Sequence, residues 1–590
     1  MRWHEPKARI HPTVEDAVVF DRARFQRVAL WVSLAAAVAL CAPSLGSGLQ
    51  TEDIAHRATS QSTTAWVNLF GSGATSAADV YAMKDSGALP WITADDFSLS
   101  LWRPLTSFTH HLDYRLWPNA PFVMHVQSVC WLLAVIVGAA TLFRRLSSGW
   151  AAATLATAFY SIDDGHGFVV GWLANRNALV ASAFAIPALV AHDRWRRDGW
   201  RPGAVVAGAL AWTALQGGEI AAGVFGYAAA HVLFLDPATW RKRWVPLVPW
   251  TVAGLLWLIP YRAMGYGARG SGAYVDPLSA PRDFAAALAT RLPTLAFAEL
   301  TGSPAERANF DWPWGIAIAV VSVGVISVGA VAWLRRDPRA RFWLVGMLLA
   351  ALPACGTYPG DRLLVVASLG GMALAGELVA GALGLSELPR ARWARLVATL
   401  AGVLLILSDG IAAITVLPSQ SVGPAFAQGD LTRLTASAYD GAAPEKDLVI
   451  LNGVDFYDMT ILAMLRGSAG GRAPAVTRVL YGGLDAVTVV RSADDELTLA
   501  APHSFVAPGM NRVYRGLSRP MQPGQSLQLT RLRYVVEGVD ADGMPTVVKF
   551  VFPSSLDDGT IVWKRWNGAV FLPFVVPPIG GTAVVGPGIG

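Results

Sequence analysis

The sequence predicts a polytopic α-helical membrane protein of about eleven spans, followed by a C-terminal strand-rich α/β domain on the outer face. Three observations lead there. Of the 590 residues, 53% are hydrophobic and 15% charged, with a mean hydropathy of +0.41, whereas soluble domains carry roughly 25% charged residues. Apolar runs of bilayer-crossing length recur through the first two thirds of the chain. Near Pro418 those runs stop, and short alternating segments between turn signals take over.

Residues 1–27 form a cytoplasmic lead-in with Arg22, Arg24 and Arg27 beside the first span, and they lack the small-residue cleavage pattern of a removable signal. The membrane domain is expected over 28–417. A spanning helix takes roughly 17–25 apolar residues. The clearest spans are Val28 to Leu45, Phe122 to Phe143, Val245 to Met264, Trp314 to Leu334, Leu363 to Leu383 and Leu396 to Leu417. Shorter runs are Trp150 to Ile162, Ala178 to Ala191, Gly203 to Leu215, Ile220 to Leu235 and Phe342 to Cys355. Short or interrupted apolar pieces often line a cavity.

Orientation follows from the arginines, because positive joints stay cytoplasmic. Basic joints at Arg144-Arg145, at Arg194, Arg196 and Arg197, at Arg241, Lys242 and Arg243, at Arg335-Arg336 and at Arg390, Arg392 and Arg395 alternate with joints bearing carboxylates and histidines. An odd span count is therefore expected, with the N-terminus inside and the C-terminus outside. Few lysines and an outer domain suit a bacterial inner membrane. The net charge of +5 resides in these joints and not in a basic patch interleaved with aromatics, so membrane lipids are the expected partner and nucleic acid is not. Cys41, Cys130 and Cys355 lie in or beside apolar runs, too few for a disulfide framework or a zinc site.

Two outer joints are long, 46–121 and 265–313. Long loops in compact proteins are usually functional, and the first is expected to hold short helices. In it, Trp66, Val67, Leu69 and Phe70 suit the membrane interface. The second opens with the glycine-rich Gly265 to Gly272, which lacks the strand-before, helix-after context of a phosphate loop.

The soluble domain is expected over 418–590. Leu448 to Leu451 reads as a buried strand and Met459 to Leu465 as a short helix. Further strands are expected at Ala486 to Val490, Leu527 to Leu529, Tyr534 to Val539, Thr546 to Phe552 and Val570 to Phe574, with turns at Asp542-Gly543 and Asp558-Gly559. The Gly/Pro-rich end after Pro577 is expected to fray.

Candidate chemistry lies on the outer side of the membrane part. Glu52 and Asp53 follow the first span, and an ionisable group at the hydrocarbon edge is costly unless it faces a cavity or partner. A carboxylate in a partly desolvated cleft can serve as a general base; the competing reading is a solvated helix end. Neighbouring helical positions diverge, so one carboxylate is chosen, Asp53, with Glu52 the fallback. In the first outer joint stand Arg103, His110, His111 and Asp113. A helix from Pro104 puts His110 and Asp113 on one face. Arginine and histidine there suit a phosphate, against internal salt bridging and snorkelling. Asp163, Asp164 and His166 offer hard ligands, but no metal or other cofactor is assigned on three close ligands alone. Asn175, Arg176 and Asn177 precede a span, Glu219 stands isolated between apolar runs, and Arg362 follows Asp361. An intramembrane carboxylate such as Glu219 needs a partner or water. Glu377 and Asp409 fall inside later spans as hydrogen-bonding groups.

The order of these groups resembles that of polytopic glycosyltransferases of the GT-C superfamily, nearest the protein O-mannosyltransferase-like branch. The resemblance is carried by Glu52-Asp53, Arg103-Pro104-Leu105, Leu116-Trp117-Pro118, His125, Trp172-Leu173-Ala174-Asn175-Arg176-Asn177, Glu219 and Pro359-Gly360-Asp361-Arg362-Leu363-Leu364. It implies a GT-C-like fold and transfer of a sugar, with inversion, from a polyprenyl-phosphate carrier to a protein, lipid or glycan acceptor at the outer face. By the same resemblance Asp53, or Glu52, is the base. Arg103, His110, Arg176 and Arg362 bind the carrier phosphate, and His111, Asp113, Asn175 and Glu219 shape the sugar and acceptor pocket. The chain departs from the pattern in Glu52 where Asp is frequent, in Asn177 where a carboxylate is common, and in Gln216-Gly217-Gly218 before Glu219. The strand-rich domain also replaces the helical repeats, so the sugar and acceptor do not carry over. A flippase would call for inverted repeats and midplane charges, neither of which is evident. An inactive relative binding a lipid or cell-wall partner is the third reading.

Overall fold

The computed structural model describes residues 14–587 except 61, 63, 72, 307–312, 387–390, 469, 471–473 and 507. Arg390, the start of the lead-in and the 307–312 stretch of the second outer joint lie outside the described residues.

Each expected apolar run falls on helix, with shifted ends. Among the described residues four helical stretches, against the eleven or so spans expected, are long and apolar enough to cross a membrane: Arg22–Gly46, Pro121–Leu146, Leu173–Arg197 and Arg392–Ala438. Shorter apolar helices, Trp150–Ile162, Gly203–Gly217, Glu219–Phe234 and Ser368–Ala382, pack among them. Their starts follow local chemistry: Pro121 and Pro338 occupy first-turn positions, where a missing N–H removes no helical bond. The run expected from Leu363 begins its α-helix only at Ser368, because Asp361–Leu363 forms a 3₁₀ turn. The helical stretch from Arg392 contains a π-helical segment, Ile406–Ala412, and continues through Pro418 and Pro424 to Ala438. The change of character at Pro418 is therefore not a structural boundary: a helix carries the chain onward, and the first strand of the C-terminal part starts at Asp447.

Without a hydrophobic drive between helices in lipid, small residues permit close approach. A Cβ on Gly171 would stand 2.0 Å from the Ser421 carbonyl oxygen, and one on Gly376 2.5 Å from that of Ala152. At one end the basic joints are tied by ion pairs: Arg145 to Asp193 at 2.6 Å and Asp198 at 2.9 Å, and Arg196 to Asp236 at 2.6 Å. Glu377, foreseen as a hydrogen-bonding group, accepts the Ser148 N–H at 2.6 Å there.

The other end gathers the two outer joints and the C-terminal part. The first joint holds helices Thr51–Thr59, Ala77–Ser86 and Pro104–Leu116. Its strand Ser98–Ser100 pairs antiparallel with Gly267–Arg269 of the second joint, so the glycine-rich run is in part a strand. Arg291 donates to the carbonyls of Gly272, Ala273, Cys355 and Thr357, fastening the second joint to the bundle. Trp66 is exposed, whereas Leu69 turns inward onto Tyr114, Met124 and Leu173.

The C-terminal part has two sheets. In the four-stranded one, Asp447–Gly453 lies between Ile561–Trp566 and Thr477–Gly482, parallel to both. The other has six antiparallel strands. The end beyond Pro577 does not fray at once: Thr582–Val585 pairs with Val490 to Val487, because the backbone there covers an otherwise open sheet edge and buries Val585.

This part shares its core with the first outer joint. Trp91 donates from Nε1 to the Leu480 carbonyl at 3.0 Å and packs its ring on Phe505, Tyr534 and Phe550. Arg515 binds the carbonyls of Ile92 and Thr93. Residues 74–97 thus belong to the core of the strand-rich unit and not to a free loop. Trp91→Ala is expected to cost about 3–5 kcal/mol and to show as a lower melting temperature of the detergent-solubilised protein together with faster tryptic cleavage in both 74–97 and 447–587. Unchanged cleavage in the strands would contradict the shared core.

Candidate active site at the outer ends of the helices

After the first span the chain makes a 3₁₀ turn, Ala42–Gly46, and enters the Thr51–Thr59 helix. Thr51 takes φ 32, and no other non-glycine residue has positive φ among the described residues. A β-branched residue there is strained, and such strain gathers at functional sites. It is held by the Gln428 side chain, which accepts the Thr51 N–H at 2.6 Å.

The two carboxylates then part, as adjacent helical positions must. Asp53 is fully buried and faces the bundle. Its Oδ2 accepts the Gln50 N–H at 3.2 Å and its Oδ1 the Ala174 N–H at 2.7 Å. Tyr114 donates to its backbone carbonyl at 3.2 Å. Burial pushes the Asp53 carboxyl up to about 8, against the two N–H donors and with the Glu52 charge adding. Glu52 is half-buried and faces the other way. Its Oε2 accepts the Thr51 hydroxyl at 2.6 Å, and its Oε1 accepts the phenol of Tyr457, from the strand-rich part. The two carboxylates thus carry one donor on each oxygen alike and differ in burial: Asp53 is fully buried against the bundle, and Glu52 is half-buried toward the strand-rich part.

His110 and Asp113 share the buried face of the Pro104–Leu116 helix, as their spacing predicts. Asp113 pairs with Arg176, both side chains fully buried. Arg176 also donates to Ser128 at 2.9 Å, to the Met124 carbonyl at 2.6 Å and to Gln127. This guanidinium is taken up by the protein. His56, Phe70 and His110 cluster, with ring centres 4.7–6.0 Å apart. Burial holds both histidines neutral, His56 down to about 3 with the Arg103 charge adding, and His110 well below the usual range. Neither ring nitrogen of His110 has a hydrogen-bond partner among the described residues. His111 and Asn175 are half-buried.

Arg103 lies over the Phe70 ring at 5.1 Å and donates from Nε to Glu219 at 2.7 Å, supplying the partner that the isolated Glu219 requires. Arg362 sits over Phe168 at 5.9 Å, half-buried, with no carboxylate ion pair among the described residues. The structure therefore joins Asp53, Asp113, Arg176 and His110 into one buried group, with Arg103 and Glu219 reaching it through Phe70. Glu52 and Arg362 stand outside that group. The residues that sequence reasoning missed are Thr51, Gln428 and Tyr457: they act through a strained turn and contacts remote in sequence, for which no local pattern exists.

Asp163 is used locally, accepting the Gly165 N–H at 2.9 Å, and His166 sets its ring edge to face with Tyr160, 4.8 Å between centres. Among the described residues no group of three or more His, Cys, Asp or Glu side chains is placed to hold a metal ion.

No family model matches the chain, and no curated protein does. Partial likenesses occur among solved structures. One is the oligosaccharyltransferase of Archaeoglobus fulgidus, solved tethered to an acceptor peptide containing the NVT sequon, at 13% identity and TM-score 0.37. The match covers 77% of this chain and 64% of the archaeal one, so the chain spans less than two thirds of that protein. Another is ArnT from Cupriavidus metallidurans bound to undecaprenyl phosphate, at 13% identity, TM-score 0.35, 76% of this chain and 89% of that one. Its apo state matches at 12% identity, TM-score 0.34, 76% and 85%. These alignments bring no residue role to this chain.

Asp113→Asn leaves the Arg176 charge buried without its counter-ion and is expected to destabilise by about 3–5 kcal/mol. Glu219→Gln, at a partly exposed pair, is expected to cost about 1 kcal/mol or less. Thermal unfolding of the two variants checks the order. For His56 the folded state binds its proton more weakly than the unfolded state, so its contribution to stability is full above roughly pH 6.5 and is lost as pH falls toward 3. The difference in melting temperature between wild type and His56→Gln should therefore shrink or reverse on acidification across that window.

Proposed function

We propose that the chain is an inverting glycosyltransferase that moves a sugar from a polyprenyl-phosphate carrier to an acceptor at the outer face of the membrane, with Glu52 as the base. The observation that carries this reading is the division of labour in the acidic pair: Asp53 is consumed in the fold, while Glu52 stands half-buried on the other face of the same helix. Thr51 and Tyr457 donate to it and fix its orientation. A carboxylate has about four lone-pair positions, so two bound donors leave it able to accept an acceptor proton.

In this reaction the acceptor oxygen forms a bond to the anomeric carbon from the side opposite the phosphate. The bond from that carbon to the phosphate oxygen breaks, the acceptor proton passes to Glu52, and polyprenyl phosphate leaves with the added negative charge. Arg362, which lacks an ion pair among the described residues, is the first candidate to receive that charge, by preorganised electrostatic stabilisation. Arg103 is the second, its Nε engaged by Glu219. Arg176, His110 and Asp113 serve the scaffold behind the site, and His111 and Asn175 are candidates for the sugar and acceptor pocket. The long outer joints and the strand-rich part share one end, opposite the basic joints, in keeping with a cytoplasmic N-terminus and an outer C-terminal domain in a bacterial inner membrane.

The test is transfer of labelled sugar in proteoliposomes from undecaprenyl-phosphate mannose, glucose or galactose to an envelope extract. Glu52→Gln is expected to lower kcat by about 10²–10⁴-fold, and Arg362→Ala by about 10²–10³-fold. Undiminished transfer by Glu52→Gln, or no transfer by the wild type from any of the three donors, would contradict the reading.

A further inference from the structure

Resting on the reading of Glu52 as the base, we infer that Tyr457 is a positioning residue for the transfer, which makes the strand-rich domain a working part of the site and not an appended module. Tyr457 is the second residue of the Phe456–Ser468 helix, and its phenol donates to Glu52 across 405 positions of sequence. Thr51 holds the other oxygen of the same carboxylate at 2.6 Å. The carboxylate is thus gripped on both oxygens, from its own helix and from a different domain.

The grip is aimed by packing. The Tyr457 ring packs against two apolar cores of the C-terminal part, one on either side of the four-stranded sheet. The start of its helix is fixed by the Phe456 N–H on Asn511 Oδ1 at 2.8 Å, and Asn511 in turn donates to the Gly482 carbonyl at 2.6 Å. The direction of the phenol is therefore set before it meets Glu52. A donor held in this way narrows the carboxylate to one orientation, and misplacing a reacting group by about 1 Å can cost on the order of 10²-fold in rate.

The test uses the full chain in proteoliposomes with whichever of the three undecaprenyl-phosphate sugars supports wild-type transfer. Tyr457→Phe keeps the ring and removes the donor. Its expected result is a kcat lower by about 10–100-fold with a donor KM within about twofold of wild type. Tyr457→His, which restores an N–H donor, should recover part of the rate. Tyr81→Phe removes a different bond between the first outer joint and the C-terminal part, from the Tyr81 phenol to the Gln528 carbonyl, and should keep the wild-type kcat. Tyr457→Met also lacks the donor, carries the same expectation, and decides the matter if the phenylalanine protein does not fold. Wild-type kcat in the donor-lacking variant, with Glu52→Gln inactive, would overturn the role of Tyr457 and leave the base in place. An active Glu52→Gln protein would overturn both.

Discussion

A buried carboxyl holds the outer end of this molecule together. Asp53 accepts one N–H from Gln50, at the entrance of its own helix, and one from Ala174, in the turn ahead of the helix that begins at Asn177. Two orphan backbone donors, which would otherwise be costly at the edge of a bilayer, are satisfied by one side chain. The consequence reaches its neighbour. Once Asp53 is fixed inward, the helical period turns Glu52 outward, toward the strand-rich domain.

The same logic of paired burial extends sideways. Arg176 follows Ala174 by two residues and is neutralised by Asp113, with Ser128, Gln127 and the Met124 carbonyl taking three more of its five donors. The first outer joint is then bound on its other side by Trp91 and by Arg515 to the strand-rich core. The joint lies between bundle and sheet, and the strained Thr51 at its start is held by Gln428. Each face of the joint places one carboxyl, Asp53 fully buried and Glu52 half-buried.

Much of this architecture was legible in the sequence, and the misses have physical causes. Apolar runs located the helices, because burial in lipid or among helices imposes composition directly. Arg145, Arg196 and their neighbours marked one end, and they do cluster there. The joint from Pro104 revealed the shared face of His110 and Asp113, since i,i+3 spacing is local. What escaped was non-local or overridden. The change of character near Pro418 suggested a break, yet the helix passes through it and through Pro424 to Ala438. The strands Thr477–Gly482, Glu496–Ala500, Ile561–Trp566 and Thr582–Val585 went unread because tertiary pairing outweighs their weak alternation. The choice between Glu52 and Asp53 turned on Ala174 and Tyr457, which stand 121 and 405 positions away from them.

The central claim, that Asp53 is committed to the fold and Glu52 to the reactants, is most directly tested by carboxyl labelling. The purified protein is treated in detergent with a water-soluble carbodiimide and glycine ethyl ester, and the peptide spanning both residues is sequenced by mass spectrometry. The account predicts modification at Glu52 with Asp53 untouched in the folded protein, and modification of both after denaturation. Preferential labelling of Asp53 in the folded protein would contradict it.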